Sequence, residues 1–89
     1  MIASSSDTRA RLVAETDGRS TAALATALEV LTFLGKLDEA ERMVRGIIIE
    51  TLYDRHAEVA AAYNTWIDDL ESDETDEAVI IKAARRISP

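Results

Sequence analysis

The densest set of chemically capable groups in the chain is DDLESDETDE at 68–77, where seven of ten positions are Asp or Glu and none is Lys or Arg. Carboxylates in that number can hold a hard cation, imitate a phosphate backbone, or simply keep a connector solvated. A calcium loop of the EF-hand type takes oxygen ligands at its positions 1, 3 and 5, Gly at 6 and Glu at 12. Counted from Asp69, the residues Glu71 and Asp73 fit, but Glu74 stands where Gly must turn the chain and Ile80 where the last ligand belongs. No metal site is expected. Mimicry of a nucleic-acid backbone would use Asp68, Asp69, Glu71, Asp73, Glu74, Asp76 and Glu77, yet that run straddles a turn and offers no regular line of charge. A solvated connector that also caps a helix is the expectation.

His56 is the only histidine. Tyr53, Asp54 and Glu58 stand near it in sequence and could assist acid–base work, which would also require a pocket. With no second His and no Cys, a transition-metal site cannot be completed, and thiolate chemistry is excluded outright. His56 is expected to cap a helix or sit at a bundle edge. No catalytic residue and no cofactor is assigned.

The elements that must position these groups follow from composition and period. At 89 residues, 47% apolar, the chain is long enough for one modest core. A domain of this size buries roughly 60–65% of the surface its unfolded chain exposes. Three Gly, one terminal Pro and an Ala-, Leu- and Glu-rich middle favour helices over strands. The net charge of -7 is local, because outside 68–77 the acidic and basic side chains cancel at 10 each. No broad basic face is left for DNA or an anionic membrane. The opening MIASSSDTRARL has no apolar core after a basic start, and the longest strongly apolar run is Ile47-Ile48-Ile49. A cytoplasmic protein with neither leader nor membrane span is expected.

Residues 1–6 read as a flexible end, and 7–87 as one helical domain with helices over roughly 7–16, 21–34, 39–54, 57–70 and 76–87. Ser20, Asp38 and Thr75 are the expected N-caps, Glu41 completes a capping box with Asp38, and Gly35 ends the second helix. Leu24, Ala27, Leu28, Leu31 and Leu34 form one stripe; Ala40, Met43, Val44, Ile47, Ile48 and Leu52 form another. A third stripe, Val59, Tyr63, Trp66, Ile67 and Leu70, is rotated from the second, and Asp54-Arg55 interrupts the apolar pattern between them. That predicts a break near Arg55-His56, with one continuous helix over 39–70 as the alternative. Asp38–Arg42 and Glu41–Arg45 are spaced as favourable i,i+4 pairs. The fold class is all-α, a small bundle of four to five short helices.

Leu34-Gly35-Lys36 could serve a helix-turn-helix, but the recognition helix would then present Asp38, Glu39 and Glu41 to phosphates. Gly35-Lys36-Leu37-Asp38-Glu39-Ala40 resembles the turn inside a tetratricopeptide repeat, without a second copy about 34 residues on. The third helix carries a second apolar face, Ile49 and Tyr53, flanked by Arg42 and Arg45 with Gly46 beside them. Such a helix is either central in its bundle or offers that face to a partner. Phe33, off its own stripe, would extend the patch. The interface candidates are therefore Phe33, Gly46, Ile49 and Tyr53.

AERMVRGIIIETLYDRHAEVAAAYNTWIDDLE, residues 40–71, resembles a pattern in small uncharacterised helical proteins of actinobacteria and their phages and plasmids. In that pattern an Arg-rich helix leads through Arg-His-Pro-Glu into an Ala-rich helix; Ala57 replaces the Pro here. The resemblance implies an accessory protein of a mobile element or its host and supplies no activity. The expectation is a non-enzymatic protein that works through helix-mediated contact with a protein partner or a second copy of itself. Direct nucleic-acid binding is not expected. The alternative is an acidic mimic that inhibits a nucleic-acid-binding protein through 68–77.

Overall fold

Three polar side chains set where helices begin. In the computed structural model, which describes residues 5–88, helices span Ser5–Asp17 (α1), Thr21–Leu34 (α2), Glu39–Arg55 (α3), Ala57–Asp68 (α4) and Asp76–Ile87 (α5). The Ser20 hydroxyl accepts from the Ala23 amide at 3.1 Å, and the Thr75 hydroxyl accepts from the Ala78 amide at 3.2 Å. At α3 the box closes both ways: Asp38 accepts from the Glu41 amide at 2.7 Å, and Glu41 accepts from the Asp38 amide at 3.0 Å. Each cap satisfies an amide that the first helical turn leaves unpaired and contributes about 1 kcal/mol. Gly35 takes φ 75, a conformation that penalises any side chain, and so ends α2.

Of the expected loose end at 1–6, Met1 to Ser4 lie outside the described residues, whereas Ser5 and Ser6 are the first residues of α1. The chain does leave helical geometry between α3 and α4: His56 has φ -131 and ψ 118 and ends one helix while preceding the next. Its side chain does not cap α4. It reaches instead to the Thr21 hydroxyl at 2.7 Å, fastening the break to the start of α2. Arg55 works beside it, donating to the Arg19 and Asp17 carbonyls at 2.9 and 3.3 Å where α1 ends.

The core is drawn from four helices: Leu24, Ala25 and Leu28 of α2, Ile48 and Leu52 of α3, Val59 of α4, and Ile80, Ala83 and Ala84 of α5. Fully burying each large member stabilises the fold by roughly 1.5–3 kcal/mol. α3 is the central element and touches all four others, while α2 and α4 pack on α5. The bundle is elongated, 47 × 25 × 21 Å.

Several stripe residues need correction, Ile67 among them, which is 50% exposed. Leu34 and Ala40 belong to apolar stripes yet are exposed, since each lies at the α2–α3 turn where the facing helix has ended. α4 stops at Asp68, not at residue 70, so Leu70 falls in the connector and is 95% exposed. Tyr63 packs against the core but Trp66 only borders it, because its indole N–H turns to the Glu74 carbonyl at 2.8 Å.

Candidate functional site

On α3, Gly46, Ile49 and Tyr53 line one shallow groove of 330 Å³ together with Arg45, Glu50, Tyr63 and Asp76. Helical period places the α3 residues on one side, and the packed α4 and α5 supply the rest. Tyr53 meets Tyr63 edge-on at 5.8 Å between ring centroids, and its hydroxyl and the Asn64 side chain exchange hydrogen bonds at 3.2–3.3 Å. Ile49 packs against the core. The second apolar face of α3 is thus largely covered from within, as the central position of the helix requires. Gly46 is not there for close approach: a Cβ built on it meets nothing within 4 Å.

Phe33 stands elsewhere. α2 and α3 run antiparallel, since Thr21 at one end of α2 meets His56 at the far end of α3. Phe33 therefore lies at the opposite end of this hairpin from Tyr53. The structure does not join it to Ile49 and Tyr53 as one patch. It gives Phe33 different company: Val30 and Leu34, at i−3 and i+1, are 53% and 52% exposed, and Phe33 itself is 90% exposed. Phe33 is legible in the sequence as a residue off its stripe; its company with Val30 and Leu34 is not, because Leu34 continues the core stripe of its helix.

The acidic run divides by function. Asp76 and Glu77 fold back on Arg45, whose guanidinium grips both Asp76 oxygens at 2.9 and 2.8 Å and also pairs with Glu77. Arg45 thereby bridges α3 to α5 and does not form the i,i+4 pair with Glu41, whose carboxylate is engaged in the capping box. Partial burial pushes the Asp76 carboxyl up, but hydrogen bonds with Glu77 and Arg45 and the attraction of the guanidinium outweigh it and hold the group below its ordinary value. Burial pulls the Arg45 guanidinium down, and its bonds to the two carboxylates more than reverse that, leaving it raised. Glu74 is tied to Lys82 at 2.5 Å. Asp68, Asp69, Glu71 and Asp73 face solvent.

The connector carrying them is an ordered turn. Asp69 accepts from the Glu71 amide, the Ser72 hydroxyl accepts from the Glu74 amide, and the Trp66 indole holds the Glu74 carbonyl. Beside it lies a groove of 510 Å³ between α4 and α5. Among the described residues no group of three or more His, Cys, Asp or Glu is arranged to hold a metal ion. His56 has Thr21 as its side-chain partner and lines none of the grooves described above. No helix of the described residues is long and apolar enough to cross a membrane. Comparison with protein families, with curated proteins and with solved structures finds no match to this chain.

Proposed function

We propose that this protein is a non-enzymatic accessory or regulatory protein that acts by presenting a helical face to another protein. The observation that carries this reading is the apolar end of α2, where Val30, Phe33 and Leu34 share one stripe and Phe33 is 90% exposed. An aromatic ring left in water forfeits roughly 1.5–3 kcal/mol that burial against a partner would recover. Aromatic side chains are also the commonest anchors of protein interfaces. The resemblance of residues 40–71 supports an accessory protein of a mobile element or its host. A second copy of the chain is one partner this face would accept.

The test is a pair of affinity purifications from host lysate, using wild-type and Phe33→Asp baits of equal helicity. Loss of a co-purifying protein, or of self-association, from the variant is expected. Identical partners and identical mass for both baits would contradict the reading. The acidic-mimic alternative is supported by the exposure of Asp68, Asp69, Glu71 and Asp73. It is weakened because Asp76 and Glu77 are committed to Arg45, and Glu74 to Lys82.

A further inference from the structure

We propose that the groove between α4 and α5 docks a basic peptide segment of a partner protein, with a lysine or arginine side chain seated beside Trp66 at the connector end. This site is separate from the apolar end of α2 and goes beyond the reading above. Three independent features meet in it. The walls along its middle are Ala61 and Ala62 of α4 with Val79 and Ala83 of α5, side chains short enough to let another chain lie close. Trp66 lines the connector end and is held there by its bond to the Glu74 carbonyl, so an aromatic ring stands fixed at the site before any ligand arrives. Asp69 and Glu74 line the same end; Glu74 is already paired with Lys82, so among the described residues Asp69 is the carboxylate there without an ion pair.

Charge complementarity selects the occupant. Residues 68–75 carry five carboxylates, and among the ion pairs of the described residues only Lys82 answers them. Arg86 also lines the groove, but it lies ten residues along α5 from Asp76, about 15 Å at the helical rise. That backbone separation exceeds the screening length of about 8 Å at physiological salt, which weakens the effect of Arg86 at the connector end. Glu58, eight residues before Trp66, lines the far end as well. A cation over an indole is attracted by the ring, and the attraction grows as water is excluded. The methylene stem of lysine or arginine lies naturally along an apolar wall while its head stays with the carboxylates. The groove is open along its side, which suits a chain better than an enclosed small molecule.

Trp66 is the only tryptophan, so its fluorescence reports this site directly. The experiment titrates the full-length protein with the blocked peptide Ala-Lys-Leu-Lys-Ala, with its Glu-for-Lys counterpart, and with spermine. A saturable change with the basic peptide alone is expected. It should weaken at least tenfold in the double variant Asp69→Asn/Glu74→Gln, and also in Ala61→Met, which fills the wall. Circular dichroism establishes that each variant is folded; all three positions are exposed. Phe33→Asp must leave the titration unchanged, which separates this proposal from the α2 face. The proposal is overturned by the absence of a saturable change, by equal affinity for spermine, or by full binding to the double variant.

Discussion

Replacing Arg45 by Met keeps the aliphatic stem and removes the guanidinium that joins α3 to α5. Charge-assisted hydrogen bonds are each worth about 1.5–3 kcal/mol when one partner is left stranded. A fully exposed ion pair, by contrast, is worth about 0–1 kcal/mol. The cluster lies between these limits: Arg45, Asp76 and Glu77 side chains retain 26%, 29% and 18% of their exposure. Water screens part of the attraction, and the stranded carboxylates stay in the first turn of α5, where the helix dipole still favours them. The expected loss is therefore about 1–2 kcal/mol at neutral pH. For a domain of this size each kcal/mol moves Tm by about 4–8 °C, so Tm should fall by about 5–15 °C.

The pH dependence has a definite sign. Asp76 titrates below its ordinary value of 3.8 in the folded protein. A depressed carboxyl contributes stability that is fully present above the unfolded value and is lost as pH falls through the folded one. The gap between wild type and Arg45→Met should hold from neutral pH to about pH 5 and then narrow through and below the ordinary carboxylate range. Urea and thermal unfolding followed by circular dichroism, with Asp76→Asn and the double variant completing a cycle, measures it. A loss under about 0.3 kcal/mol, or a gap that persists unchanged in acid, would refute the reasoning.

Gly46→Ala should raise stability by about 0.5–1 kcal/mol in the same assay, because the helix gains a better former and the new Cβ meets nothing. Asp38→Ala should lower it by about 0.5–2 kcal/mol, and Glu41→Ala by less, since only the first strands the N3 amide. Leu70→Ser should change stability by less than about 0.5 kcal/mol, despite replacing a leucine, because that side chain is almost wholly in water.

What the sequence made legible was local. Ser20, Asp38 with Glu41, and Thr75 mark helix starts because each cap bonds within three residues of itself. The break at His56 could be read because Asp54 and Arg55 interrupt an apolar stripe. Leu70 was misplaced for the converse reason: an apolar residue in phase prolongs a pattern even after the backbone has left the helix. The Arg45 cluster was hidden, since its partners are 31 and 32 residues away and closer acids offered themselves at helical spacing. Ile49 and Tyr53 could equally have faced a partner or a neighbour, and only the arrangement of helices around α3 decides that they lie mostly covered. The exposed end of α2 likewise depends on where α3 and α5 stop covering it, which no periodicity in α2 records.

The most direct test of the central claim is amide hydrogen exchange on the protein alone and on the complex recovered with the wild-type bait. Binding through the end of α2 predicts added protection concentrated around Val30 to Leu34, with α1 unchanged. Protection confined to other helices, with residues 30–34 exchanging as in the free protein, would contradict it.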